Sequence, residues 1–181
     1  MVYFSKLPPC LIGIEACATA HYWGRELRSL GHEVRLIPPQ YVKPYVKRNK
    51  TDAADAEAIC EAVTRPSMRF VGVKSADQQA VLVLHRSRDL LVRQRTMLSN
   101  AIRGHMAEFG VVEKLGMAGT MRLAKVIDDR NDERIPDLAR RALAEMFKQL
   151  YAVLQRIDEL KRDIIVWHKQ NAVSQLLEGI P

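Results

Sequence analysis

The chain has 181 residues, of which 48% are hydrophobic, with a formal net charge of +7 and an isoelectric point near 9.5. This composition is sufficient for a packed core and excludes an intrinsically disordered chain. The excess of positive charge predicts a polyanionic partner, nucleic acid rather than membrane, because no lipid-anchor motif or long apolar span accompanies it.

The three cysteines, Cys10, Cys17 and Cys60, form no C-x-x-C pair. An odd number of separated cysteines is typical of reduced thiols rather than of a disulfide framework, and it does not predict a zinc site. The first residues carry no basic stretch followed by a long apolar core, so we expect neither a signal peptide nor a transmembrane helix. The sequence therefore predicts a cytoplasmic protein.

The first part of the chain has the pattern of an α/β unit. Residues 11–14 and 34–37 are apolar runs that predict strands, and residues 16–30 between them predict a helix that Gly31 ends. A strand, a helix and a strand in succession indicate a right-handed parallel crossover. A third short strand is predicted at residues 69–73.

Glu15 directly follows the first predicted strand. Open α/β sheets place their ligands at the carboxyl ends of strands, so a carboxylate at this position is a candidate for chemistry. The alternative is a surface glutamate just past a strand or in the first turn of the next helix. The residues alone leave both interpretations open.

A run of positive charge follows the second predicted strand. From Arg35 to Thr51 the sequence contains no acidic residue, and Tyr41 and Tyr45 are interleaved with its basic side chains. A solvated loop would have a similar composition. A one-signed run beside carboxylates favours contact with a phosphate backbone instead. We predict nucleic-acid binding by Lys43, Lys47, Arg48 and Lys50.

Two aspartates open the next predicted helix, which runs to about Val63. Asp52 and Asp55 are three residues apart and share one face of its first turn, where paired carboxylates can hold a divalent metal. With Thr51 or Asp52 as the N-cap, the same residues also fit an ordinary helix start stabilised by the helix dipole. A metal site needs a third carboxylate, and Glu15 is the candidate.

From Ser75 onward the sequence predicts long helices. The segment from Ser75 to Phe109 has leucines at seven-residue spacing and several arginines, which predicts one packing face and one basic face. A shorter helix is predicted around residues 121–127. The arginines that we predict to make outer nucleic-acid contacts are Arg86, Arg93 and Arg103.

Past Pro136, apolar residues repeat every seven positions in two interlocked sets. An a/d seam sustained over several heptads predicts a coiled coil, either folded back on the Ser75 helix or paired with a second chain. The two sets are Ala139, Met146, Val153, Leu160 and Trp167, and Leu143, Leu150, Ile157 and Ile164.

Read in succession, four motifs resemble those of DEDD-type insertion-sequence transposases, a family related to the Piv-type DNA invertases that has a RuvC-like N-terminal domain. The resemblance covers nearly the whole chain, and the ordered series is more specific than any single motif. The motifs are Glu15-Ala16-Cys17, Tyr22-Trp23, Leu36-Ile37-Pro38-Pro39-Gln40-Tyr41-Val42-Lys43 and Arg48-Asn49-Lys50-Thr51-Asp52-Ala53-Ala54-Asp55-Ala56.

The resemblance implies a ribonuclease-H-like fold in which four carboxylates hold two Mg²⁺ ions for the cleavage and joining of DNA strands. Glu15 would be the second carboxylate, Asp52 the third and Asp55 the fourth. The helices after Ser75 would correspond to the coiled-coil arm that assembles a homo-oligomer in this family. DNA is the implied partner, and several members are also guided by an element-encoded RNA.

Two features of the family have no counterpart in this sequence. The first aspartate of the family lies in a V-D-x-x-K-like context that is absent here, and the family's second half, with its nucleophilic serine, would begin about where residues 177–181 end. The expected organisation is α/β, with a partial RuvC-like nuclease domain over residues 1–74. A helical coiled-coil region over residues 75–175 and a stub at residues 176–181 would follow.

The expected function is therefore that of a transposase fragment. We expect Glu15, Asp52 and Asp55 to converge, Mg²⁺ to bind weakly because one carboxylate of four is absent, and the chain alone not to cut or join DNA. The alternative is a non-catalytic remnant that binds nucleic acid and oligomerises. A small-molecule-binding α/β module is disfavoured because the sequence has no Gly-rich phosphate loop.

Overall fold

Two parallel strands organise the beginning of the chain. Strand β1 (Leu11–Glu15) pairs with β2 (Glu33–Ile37), with Leu11 opposite Glu33 and Glu15 opposite Ile37. Helix α1 (Ala20–Ser29) connects the two strands. The predicted α/β unit with a parallel strand pair is therefore confirmed.

The computed structural model describes residues 1–46 and 51–178 of the chain. Within it the chain forms two compact units, Met1–Gln79 and Ala80–Pro181. Each unit has buried apolar clusters of its own. In the described residues, no helix is long and apolar enough to cross a membrane.

Helix α1 begins at Ala20 rather than at the predicted Ala16. The Ala16 N–H donates to the Ile37 carbonyl (2.7 Å), which extends the strand ladder by one residue beyond Glu15. Thr19 then adopts a left-handed conformation with a φ of 70°. The first residues of the predicted helix therefore form a tight turn whose backbone is partly used by the sheet.

Two helices cover the two faces of the strand pair. Val34 and Leu36 of β2 are buried in one cluster with residues of α1. Ile37 lies in a different cluster with residues of α3 (Asp52–Val63). Because successive side chains of a strand point to opposite faces, α1 and α3 lie on opposite sides of the sheet. The bounds of α3 agree with the predicted helix.

The prediction of a third strand at residues 69–73 is wrong. The structure has a single antiparallel bridge there, in which the Val71 N–H donates to the Leu36 carbonyl (2.8 Å). Side chains of α1 take the next backbone groups: His21 Nδ1 accepts from the Lys74 N–H (3.1 Å), and Arg25 donates to the Lys74 carbonyl (2.9 Å). Side-chain partners therefore replace a strand ladder.

The second half of the chain consists of helices, as predicted. The longest are α4 (Ala76–Ala107) and α6 (Asp137–Gln170), and the shorter ones are α5 (Met117–Asp128) and α7 (Ala172–Glu178). The first unit also contains one short helix, α2 (Pro39–Val42). Ser75 and Gln78 form a reciprocal capping box at the start of α4, with distances of 3.0 and 3.1 Å. Helix α4 therefore begins where the sequence predicts the long helices to begin.

The heptad seam of α6 packs within its own unit over its first half. Leu143 and Leu150 are buried in a cluster with Ile102 and Met106 of α4 and with residues of α5. Further along α6 the burial of the seam decreases, and its last positions, Leu160, Ile164 and Trp167, are only half-buried. Of the two predicted arrangements, packing against the Ser75 helix accounts for the first half of the seam.

The connection between α5 and α6 is held by one arginine. Arg140 donates to the carbonyls of Val126, Ile127 and Asp129, each at 2.8 Å, and to that of Asp132. These bonds satisfy carbonyl groups at the end of α5 that have no partner within the helix. In the same connection, hydrogen bonds from Arg134 hold the pKa of Asp132 at about 2, below its usual value.

Candidate functional site

The carboxyl ends of β1 and β2 form one edge of the sheet, and Glu15 is the candidate residue that lies at it. Glu15 ends β1 directly opposite Ile37, the last residue of β2, and its side chain is half-buried. The chain then continues from Ile37 into α2 and a 3₁₀ helix (Lys43–Tyr45). The start of the basic segment therefore lies beyond the same edge as Glu15.

Helix α3 starts with a threonine cap. The Thr51 hydroxyl accepts a hydrogen bond from the Ala54 N–H (3.2 Å). Asp52 is the first residue of the helix, and Asp55 lies in the same first turn. The capping role that the sequence left open for Asp52 thus belongs to Thr51. The two carboxylates still benefit from the positive end of the helix dipole.

Helix α3 packs against the middle of the strand pair. Near its C-terminus, the Val63 carbonyl accepts a bond from Arg35 of β2 (3.4 Å). Ile59 and Val63 also lie against Gly13 of β1. The same helix packs with Val42, which follows β2. These contacts hold α3 on both strands.

Asp55 lies on the face of α3 that is turned toward the sheet. It precedes the buried Ala58 and Ala62 by three and seven residues, which is the spacing of one helix face. Asp55 is half-buried, whereas Asp52 is exposed. In the described part of the chain, neither aspartate side chain has a hydrogen bond or an ion pair. Both carboxylates are therefore available to a ligand.

The chemistry of this donor set suits a hard divalent cation, because Glu15, Asp52 and Asp55 offer only carboxylate oxygens. Their side chains are not gathered into one centre, however. Among residues 1–46 and 51–178, no group of three or more His, Cys, Asp or Glu side chains is arranged to hold a metal ion. A joint metal site of Glu15, Asp52 and Asp55 stays a prediction.

A pocket of about 280 Å³ lies beside the basic segment. Its lining combines aromatic rings with an arginine, a composition that suits a nucleobase or a phosphate. Arg65 lies over the Tyr45 ring, with its guanidinium carbon 5.8 Å from the ring centroid. The lining residues are Tyr41, Pro44, Tyr45, Ser67, Met68 and Arg69.

The structure separates the predicted nucleic-acid-binding residues into three groups. Lys43 is exposed beside this pocket, and Arg86 and Arg93 are exposed on α4. Arg103 instead donates to the carbonyls of Glu113 (2.9 Å) and Lys114 (2.5 Å), so its guanidinium holds the loop before α5. The remaining members of the predicted set, Lys47, Arg48 and Lys50, lie outside the described residues.

Arg69 was not identified as a candidate from the sequence. Residues 69–73 have the pattern of a strand, and that pattern indicates no binding role for the Arg69 side chain. The useful signal in the sequence was Pro66, which follows the end of α3 and stops the helix from continuing. The chain reverses there, and residues 67–69 then line the same pocket as Tyr41.

Comparison with known proteins gives a consistent result. The model of a family described as transposase, of the DEDD type found in IS110 elements, matches residues 4–110. A protein of Pseudomonas aeruginosa named "Probable family 20 transposase" is 53% identical over 182 residues, which cover 98% of this chain and 54% of that protein.

Two further relatives carry the names of insertion elements. The transposase for insertion sequence element IS1328 of Yersinia enterocolitica is 40% identical, over 99% of this chain and 53% of its own length. The transposase for IS1111A of Coxiella burnetii is 36% identical, over 95% and 47%. The chain thus spans about half the length of these relatives. No solved structure matches it.

Proposed function

The chain belongs to the family of IS110-type DEDD transposases, and on this premise we propose that it forms the part of a transposase that carries Glu15, Asp52 and Asp55 of a site for cleaving and joining DNA strands. The observation that carries the proposal is the packing of α3 on β1, the strand that Glu15 ends, where Ile59 and Val63 of α3 lie against Gly13. We assign residues 1–74 to a RuvC-like, ribonuclease-H-like nuclease domain and residues 75–175 to a helical arm.

The three carboxylates would hold Mg²⁺, in keeping with the divalent-metal dependence that a DEDD family implies. When bound, this ion supplies activation of an attacking oxygen and stabilisation of a leaving one. The chain's own contribution is positioning. Thr51 fixes the start of α3, and Gly13 allows Ile59 and Val63 to lie directly on β1. Together these contacts set the position of Asp55 relative to the strand that ends at Glu15.

DNA would be bound next to the edge of the sheet where β1 ends at Glu15. Lys43 and the tyrosine-lined pocket supply a positive charge and surfaces for stacking, and Lys47, Arg48 and Lys50 would extend the positive charge toward the start of α3. Arg86 and Arg93 would make outer contacts along α4. An element-encoded guide RNA is a further proposed partner, because the same cations suit any phosphate backbone. A cytoplasmic location follows from access to DNA.

The metal-binding part of the proposal can be tested with Mn²⁺ as the probe, by its effect on water-proton relaxation. We expect weak binding by the whole chain, with a dissociation constant above the micromolar range. Both Asp55→Asn and Glu15→Gln should weaken it by about tenfold or more, because each removes a charged ligand. Glu15 lies on a strand and Asp55 on a helix, so weaker Mn²⁺ binding by both variants could not result from a distortion of one element.

Asp77→Asn is the matched control. Asp77 lies in the first turn of α4, which is capped by Ser75 much as α3 is capped by Thr51. This control should leave Mn²⁺ binding unchanged. Equal binding by all four proteins would contradict a metal role for Glu15 and Asp55, and would favour the alternative function of a non-catalytic remnant that binds nucleic acid.

A further inference from the structure

A cysteine and a buried histidine lie together at the other end of the strand pair. Cys10 precedes β1 and has an exposed thiol, whereas His32 precedes β2 and is only 4% exposed. The Cys10 Sγ lies 3.4 Å from His32 Nδ1, and the Cys10 backbone N–H points at the same nitrogen (3.3 Å). A nucleophilic atom is thus within hydrogen-bond distance of a base.

The protonation of the imidazole follows from its second nitrogen. His32 Nε2 lies 3.0 Å from the Phe4 carbonyl oxygen, which can only accept a hydrogen bond. In the neutral ring Nε2 therefore carries the proton, and the single lone pair of Nδ1 is shared between the backbone N–H and the thiol of Cys10. The Phe4 ring packs edge-on against the imidazole, with ring centroids 6.3 Å apart. The backbone and the ring of one residue orient the base.

This arrangement is separate from the candidate metal edge. The Glu33 N–H donates to the Cys10 carbonyl (3.1 Å), so Cys10 lies at the end of the sheet where both strands begin. Glu15 ends the same strand at the opposite edge. The other two thiols offer internal comparisons, because Cys17 and Cys60 are also exposed and the Cys17 Sγ contacts only a backbone carbonyl, that of Ala18 (3.5 Å).

We propose that Cys10 and His32 form a reactive thiol site that exchanges with low-molecular-weight disulfides. A nucleophile, a base within reach and a group that orients the base are the three parts that activate such a residue. His32 Nδ1 takes the proton of the Cys10 thiol, and the thiolate attacks one sulfur of the disulfide. A bond forms between Cys10 Sγ and that sulfur, the original S–S bond breaks, and the released thiolate takes the proton from His32.

The test compares the three cysteines within the same whole chain. The protein is exposed at about pH 6 to glutathione disulfide and, separately, to iodoacetamide, and modified peptides are quantified over time by mass spectrometry. An ordinary thiol, with a pKa near ~8.5, is almost entirely protonated at this pH and reacts slowly. We expect Cys10 to react at least about tenfold faster than Cys17 or Cys60 with both reagents.

A His32→Asn variant separates the role of the base from exposure alone. Asparagine can keep a hydrogen bond at this position but cannot take a proton, so the rate of Cys10 should fall to that of the other two cysteines. Circular dichroism of the variant checks that it has remained folded, because the exposed Cys60 reacts whether or not the chain is folded. Equal rates for the three cysteines of the unaltered chain, or a Cys10 rate unchanged by His32→Asn with Cys60 also unchanged, would overturn the proposal.

Discussion

At the scale of single residues, Gly13 determines how closely α3 can approach the sheet. A Cβ atom at this position would lie 2.9 Å from Ile59 Cγ2 and 3.0 Å from Val63 Cβ, both of which belong to the buried side of α3. These atoms belong to short, branched side chains on a packed helix, so they have little freedom to move away. The position of Asp55, on the same helix, therefore depends on the absence of a side chain at residue 13.

We predict that Gly13→Ala lowers the free energy of unfolding of the first unit by about 1–3 kcal/mol, because it overpacks the contact with α3. Unfolding in urea can be followed by the fluorescence of Trp23 in a Trp167→Phe background, which reports on this unit alone. Gly72→Ala is the control, since Gly72 lies in the same unit with open space around it. It should be neutral or stabilising by about 0.4–1 kcal/mol. An unchanged free energy of unfolding with Gly13→Ala would contradict the close packing.

At the scale of elements, the sequence predicted the helices and strands that are defined by local sequence signals. The apolar runs of β1 and β2, the capping box at Ser75 and the heptads of α6 each encode their element within a short stretch. The third strand failed because the partners of Lys74 are His21 and Arg25, about fifty residues earlier in the chain. Contacts of this kind leave no periodic signal.

The candidate site was predictable in part for the same reason. Glu15 and Asp55 were recognisable by their places at a strand end and a helix start, and the structure has β1 ending at Glu15 and Asp55 in the first turn of α3. The pocket beside Tyr41 required the chain reversal after Pro66, which sequence patterns do not specify. The Cys10–His32 contact joins residues that are distant in sequence and belong to no known motif of the chain.

The seam of α6 leads to a prediction about association. Leu150 is fully buried within the second unit, whereas Leu160 is half-buried on the same seam. A homo-oligomer that forms through this seam can therefore use only its later positions, which the unit does not fully bury. We predict that Leu160→Lys weakens association with little effect on folding, because it places a charge where a second chain would pack. Sedimentation velocity at several concentrations measures the mass.

Leu150→Lys is the contrasting variant. It places a charge among Ile102, Met106 and the other buried residues of the unit, so we expect it to unfold the second unit, and circular dichroism will show the loss of helix. If Leu160→Lys leaves the mass in solution unchanged at every concentration, the seam packs within one chain along its whole length, and association through it is contradicted.

At the scale of the whole molecule, the net charge of +7 is distributed unevenly with respect to the candidate site. The sequence between Arg35 and Thr51 has only positive charges, and it connects β2 to the start of α3. A phosphate backbone that follows this segment would pass from the end of β2 to the start of α3, which carries Asp55. DNA affinity should therefore depend on where the positive charges lie, not only on their number.

We predict that replacing Lys47, Arg48 and Lys50 together by alanine weakens binding to a short DNA duplex and reduces its dependence on salt. Each neutralised phosphate releases counterions, so the slope of log affinity against log salt should fall by about one unit for every phosphate that the variant no longer binds. The control replaces Lys161, Arg162 and Lys169, which are exposed on α6, and lowers the net charge equally, from +7 to +4. Fluorescence anisotropy at several salt concentrations measures both quantities. Because only the first variant removes charge from the segment that directly precedes α3 in the sequence, its slope alone should fall by about three units. Equal slopes for the two variants would show that binding follows net charge and not a site.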